Sequence, residues 1–191
     1  MKRFLDIVII ACLMLCSVSC SKDSDEPYEN MIWDIAPTGV IIRLIDEEGN
    51  NLLDPETEGN WVGEKMAIGF KDSSFSAIWT YDEYKEYNNN PESRAVMCFF
   101  HGLFWTGVIP TGDQKGACLA FGEFDGGSNQ EMSLTFMIEC INTVLEFKFT
   151  HNCEWNNHKP QISNYITYKG DVIKGNVLEI VLPKNQNKGQ D

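Results

Sequence analysis

Between residues 33 and 182, apolar side chains recur at every second position in short runs, and nowhere at i, i+3, i+4, i+7 over three turns. A period of two puts successive side chains on opposite faces of a strand, so this stretch can bury one face of a sheet but not the stripe of a long helix. The runs predict strands over 38–46, 65–71, 75–81, 94–101, 117–124, 132–141, 144–153, 163–168 and 177–182. Between them lie Asp46-Glu47-Glu48-Gly49-Asn50, Asn88-Asn89-Asn90-Pro91, Thr111-Gly112-Asp113, Asp125-Gly126-Gly127 and Lys174-Gly175-Asn176, all rich in residues that accept tight or left-handed turns. Strands at this spacing, without a repeat or a break in composition, predict one all-β domain over 33–183 followed by a flexible tail over 184–191. The expected architecture is an antiparallel, immunoglobulin-like β-sandwich, with a flattened β-barrel as the alternative.

One hairpin can be set by arithmetic. A two-residue loop at Asn142-Thr143 pairs Leu134 with His151, Phe136 with Phe149, Ile138 with Phe147 and Cys140 with Leu145, so the apolar faces coincide. It also places Glu139 opposite Glu146, an unfavourable pair. This register puts Cys140 on the apolar face and roughly 27 Å from Cys153 at about 3.4 Å per residue, beyond the reach of about 7 Å that a disulfide allows. Of the seven cysteines, Cys12, Cys16 and Cys20 belong to the N-terminal segment, leaving Cys98, Cys118, Cys140 and Cys153. A domain of this size does not need covalent staples, and these four are expected as free or partly paired buried thiols.

Residues 1–19 read as export signal. Lys2 and Arg3 precede an apolar run over 7–18, shorter than the roughly 20 residues that span a bilayer. Ser17-Val18-Ser19-Cys20 resembles a bacterial lipoprotein processing site, with Cys20 as the lipid-bearing residue. Cleavage there removes Lys2, Arg3 and Asp6 and takes the net charge from -13 to -14. Residues 20–32 are acidic and without apolar periodicity, a lipidated tether resembling the tract that sends Bacteroidetes lipoproteins to the outside of the outer membrane. The expected address is the outer membrane, facing the exterior, with the lipid anchor as the membrane contact. The acidic charge, with basic residues scattered, disfavours nucleic acid.

Catalytic signatures are missing. The sequence holds no G-x-S-x-G, S-x-x-K, phosphate-binding or dinucleotide-binding loop. His151, Cys153 and His158, with His101 elsewhere, match no familiar zinc spacing, and His151 is expected as a hydrogen-bonded histidine at the core margin. Asp46, Glu48, Asn50 and Asp54 are candidate calcium ligands, although Gly49 falls where no EF-hand has its glycine. No cofactor is expected. The candidate binding feature is Trp79, Tyr81, Tyr84 and Tyr87, followed by three asparagines. Flat rings can stack on sugars while amides and carboxylates bond hydroxyls, or can supply protein-binding area; a single helical turn capping the core is the plainer account.

Trp33-Asp34-Ile35-Ala36-Pro37, Gly49-Asn50-Asn51-Leu52-Leu53-Asp54-Pro55 and Leu119-Ala120-Phe121-Gly122-Glu123-Phe124-Asp125-Gly126 resemble a group of uncharacterised Bacteroidetes surface lipoproteins, as do Val40–Asp46 and Gly175–Val181. The resemblance implies a source and an address and carries no activity; the cysteine content departs from the group. The chain is therefore expected to be a surface-exposed, non-catalytic binding or accessory module for a glycan or a cell-surface or envelope protein. A glycan-active hydrolase and a purely structural envelope lipoprotein are the alternatives.

Overall fold

A computed structural model describes residues 35–89, 102–107, 116–157 and 159–186. All lie in the compact unit Ile35–Asp191. The expected strand over 94–101, and Cys20, Cys98, His101 and His158, fall outside the described residues.

The fold is all-β, as the alternation requires. Ten strands, β1 (Thr38–Ile45), β2 (Met66–Phe70), β3 (Ser73–Ile78), β4 (Leu103–Trp105), β5 (Leu119–Phe124), β6 (Gln130–Ile138), β7 (Thr143–Asn156), β8 (Lys159–Tyr168), β9 (Asp171–Lys174) and β10 (Val177–Val181), form one sheet. Among the described residues one α-helix, α1 (Tyr81–Asn89), is inserted after β3. The strand order is β10-β1-β5-β4-β3-β2-β6-β7-β8-β9, with β1–β10 and β3–β4 parallel and the other pairs antiparallel. The architecture is thus the flattened, nearly closed barrel rather than two separate sandwich sheets. β3 makes the difference: Ser73 to Ser76 pair with β2 while Ala77 and Ile78 pair with β4, so one strand turns the corner between the two layers. Alternation specifies the inward face but not whether the layers share a strand.

Inward residues of both layers meet in one core that includes Val40, Ile42 and Leu44 of β1, Ile68 of β2, Phe136 of β6, Phe149 of β7 and Leu178 of β10, all at 0% exposure. The segment after β1 adds Leu52, Leu53 and Trp61, whose indole Nε1 donates to the Pro183 carbonyl at 3.0 Å. Residues 184 and 185 are held to the fold: the Asn185 N–H donates to the Gly59 carbonyl, and its side chain is buried.

Where β1 meets β7 and β8, across the gap in the barrel, the contacts are polar. His151, fully buried, donates from Nε2 to the Gly126 carbonyl at 2.9 Å, and its Nδ1 lies 2.6 Å from Asn164 Oδ1. The Asn164 amide reaches Thr38 of β1 at 3.3 Å. Gly126 admits no side chain here, since a Cβ would sit 2.2 Å from the Ala36 carbonyl oxygen. The histidine is the hydrogen-bonded core-margin residue that the sequence suggested.

The β6–β7 hairpin has a different register from the expected one. Leu134 pairs with Phe147, Phe136 with Leu145 and Ile138 with Thr143, a slide of four residues along β7. An even slide leaves every side chain on the same face, so alternation cannot distinguish the two registers. Two local effects decide between them. Residues Glu139–Ile141 form a 3-10 turn closed by left-handed Asn142, and Glu146 now faces Thr135 instead of Glu139, which removes the like-charge pair. Lys148 instead pairs with Glu131 at 2.9 Å. Cys140 consequently sits exposed in the turn and not on the apolar face, while Cys118 and Cys153 are buried; none of the three is in a disulfide. With Cys153 ten positions beyond Thr143, or about 34 Å at 3.4 Å per residue, a 140–153 bridge stays out of reach.

Candidate functional site

The aromatic segment begins where β3 ends. Thr80 and Glu83 form a capping box: Thr80 Oγ1 accepts from the Glu83 N–H at 3.3 Å, and Glu83 Oε2 accepts from the N–H groups of Thr80 and Trp79 at 3.0 and 2.8 Å. The box starts α1, whose first turn carries Asp82 and Glu83 at the positive end of the helix dipole. Nine residues make two and a half turns, more than the single turn expected.

Helix geometry then separates the four aromatics. Tyr84 and Tyr87, three apart, turn onto Ile78 and Phe104, with ring centroids 5.9 and 5.2 Å from Phe104 in edge-on contact. Burial pushes the Tyr87 phenol up, and the nearby Glu123 carboxylate adds to the shift. Tyr81 points outward, 57% exposed, stacked on Tyr84 at 6.0 Å with the Lys85 ammonium 4.4 Å above its ring. Trp79 takes a third direction. Its indole Nε1 donates to the Glu64 carbonyl at 3.0 Å, its ring lies 6.3 Å from Trp105, and it borders a cleft. The four rings therefore do not share one face, and only Trp79 reaches that cleft.

The cleft has a volume of about 710 Å³ and lies on the outer face of the sheet. Its floor follows from the register: Ser76, Ala67, Met137 and Val144 are cross-strand neighbours in a row running from β3 through β2 and β6 to β7. Three strand spacings make that row about 14 Å long. Small side chains at Ala67 and Ser76 leave the hollow, Trp79 and Glu83 stand at one end, and Asn142 and Thr143 at the other. Glu64, Lys65 and Glu139 form a charged lip, with Lys65 and Glu139 paired at 3.6 Å. Glu64 Oε1 accepts from Asn185 at 2.8 Å. Although Cys140 is exposed, partial desolvation pushes its thiol up, and the Glu64 charge and hydrogen bond push it further, away from the thiolate a nucleophile needs.

The calcium candidates are used differently. Asp46 Oδ1 accepts from the N–H groups of Glu48 and Asn50 at 3.0 and 2.8 Å, and Oδ2 accepts from the Asn50 amide at 2.9 Å. The Lys184 ammonium lies 4.0 Å from Asp46 Oδ2 and 3.5 Å from Glu48 Oε2. Asp54 caps its own turn, accepting from the Glu56 N–H at 3.0 Å. Both Asp46 oxygens, which a hard cation would take, are thus occupied by donors of the loop, with an ammonium beside them. Among the described residues no three His, Cys, Asp or Glu side chains are grouped to hold a metal.

The chain matches no family model, no curated protein and no solved structure. An apolar floor, one aromatic ring and a rim of carboxylates and amides can bury a flat apolar surface and bond the polar groups around it. The floor residues escaped the sequence reading, although a signal was present: Met137 and Val144 are apolar at outward positions of strands whose other outward residues are mostly polar.

Among the described residues no helix is long and apolar enough to cross a membrane.

Proposed function

We propose that this chain is a lipid-anchored, surface-exposed, non-catalytic binding module whose partner, a glycan or an envelope protein, seats in the cleft beside Trp79. The observation that carries the reading is the row Ser76–Ala67–Met137–Val144, a partly apolar hollow on an outer sheet face ending at an aromatic ring. Core packing does not require such a hollow, and a polar outer face would have served solubility better. A length of about 14 Å admits two to three pyranose rings or a short extended peptide. The lipid anchor and the outer-surface address rest on Lys2 and Arg3, the apolar run over 7–18, Ser17-Val18-Ser19-Cys20 and the acidic segment after it. The similarity to Bacteroidetes surface lipoproteins supports the same address.

The test is a glycan array probed with the mature chain beside an Ala67→Arg variant, together with capture of envelope proteins by both. A ligand held by the native chain and weakened at least tenfold by Ala67→Arg supports the cleft. Equal binding by both removes the site, and shortening of a bound glycan removes the non-catalytic reading.

A further inference from the structure

One strand pair runs past the rest of the barrel. β6 begins where Gln130 pairs with His151, and β9 covers β8 only from Tyr165 to Tyr168, yet β7 and β8 go on pairing from Asn152 with Ser163 to Asn156 with Lys159. The result is a two-stranded arm that reaches its tip at left-handed Asn157 (φ 48°). The register sorts its side chains cleanly. Cys153, Trp155, Pro160 and Ile162 share one face, while the other is polar throughout, from Asn152 and Glu154 to Gln161 and Ser163. The apolar face continues the inward face of the barrel, and exposure along it rises from 0% at His151 to 53% at Trp155 and 50% at Ile162. A two-stranded ribbon is marginal in water, so apolar side chains at its tip gain from an apolar cover.

Two observations select the occupant. Trp155 and Ile162 together expose on the order of 200 Å² of apolar surface, against about 800 Å² per partner in a stable protein complex. That is small for a second copy but suits side chains entering a membrane interface, where tryptophan is favoured because its ring is apolar and its N–H polar. The second observation is where the chain enters the fold. Ile35 packs against Gly126, whose carbonyl accepts from His151 at the base of the arm. Cys20 precedes Ile35 by 15 positions, at most about 50 Å of chain at roughly 3.4 Å each.

We propose that the arm is a second membrane contact, its Trp155–Ile162 face entering the interfacial layer of a zwitterionic bilayer. The inference rests on the reading of Cys20 as lipid-bearing, since an anchor within that contour length raises the local concentration of a weakly inserting tip. Zwitterionic lipid is specified because the arm carries Glu154 against Lys159 and the whole chain is -13, so charge attraction to an anionic surface is not the drive.

The test uses the mature chain and millimolar phosphatidylcholine–phosphatidylethanolamine vesicles containing brominated phosphatidylcholine, which quenches tryptophans that reach the acyl chains. With five tryptophans in the sequence, the readout is the difference between the native protein and Trp155→Phe. The expected result is quenching that Trp155→Phe loses by at least half and that Ile162→Asn weakens at least threefold, with both variants melting as the native chain does. Equal quenching of native and Trp155→Phe overturns the inference. So does self-association at micromolar concentration that Ile162→Asn abolishes, because a second copy then covers the face. The mass of the N-terminal peptide judges the anchor separately: an acylated chain without Trp155 quenching removes the arm contact alone, and a non-acylated chain that keeps the quenching difference removes the anchor alone.

Discussion

Strand β7 carries one alternation through two settings. From Leu145 to Cys153 its odd-numbered side chains face the second layer of the barrel, with Phe149 fully buried and Cys153 still buried; at Trp155 the same face runs beyond the rim and becomes exposed. The pattern in the chain is identical in both. What differs is the cover, which is contributed by strands far away in sequence, so alternation identifies an apolar face without saying what lies over it. The same lesson applies on the opposite side of the sheet, where Met137 and Val144 are apolar at outward positions and line a cleft instead of a core.

A pair of truncations on one strand separates the two settings. Phe149→Ala should cost about 3 to 5 kcal/mol, the usual range for a buried phenylalanine, whereas Trp155→Ala should cost under about 1 kcal/mol, both read from urea unfolding. Equal costs would mean that the arm is packed as the barrel is. His151→Leu comes next, at about 2 to 3 kcal/mol, because it strips partners from the buried Gly126 carbonyl and the Asn164 amide where the barrel closes. Ala67→Arg, on the outer face, should change stability by no more than about 0.5 kcal/mol while removing ligand binding, which separates a surface hollow from a core position.

The smallest effect concerns Asp46. The Asn50 side-chain amide, aided by backbone N–H groups and Lys184 against the opposing pull of desolvation, holds its carboxyl below the ordinary value of 3.8. A lowered folded value means that the stabilisation is present in full above pH 3.8 and is lost as pH falls through the folded value beneath it. Asp46→Asn should therefore lower the melting temperature at pH 7 and differ less and less from the native chain below pH 3.8. A gap that widens on acidification would show that the carboxylate is not the favoured form in this loop.

Much of the barrel was legible because its strands alternate cleanly; β1, β2 and β5 lie within two residues of their expected bounds. Other parts were not, for identifiable reasons. β4 is too short at three residues to show a period, and β9 went unread because it joins β8, expected over 163–168, through Lys169 and Gly170, both at positive φ, where lysine gives no turn signal. The hairpin register escaped because an even slide preserves faces. At the candidate site, the chain showed the four aromatics but not that a helix would turn Tyr84 and Tyr87 inward, although Thr80 and Glu83 at capping-box spacing were a readable start signal. The cleft floor depends on pairings among four strands, and no local window contains those.

Whether the hollow beside Trp79 is the binding site of a non-catalytic module is read most directly from the glycan array and the envelope-protein capture, run with native and Ala67→Arg chains side by side. The expected result is a glycan or envelope protein that the native chain holds and leaves intact and that the substitution weakens tenfold or more. A glycan bound equally by both chains, or cleaved by either, would contradict it.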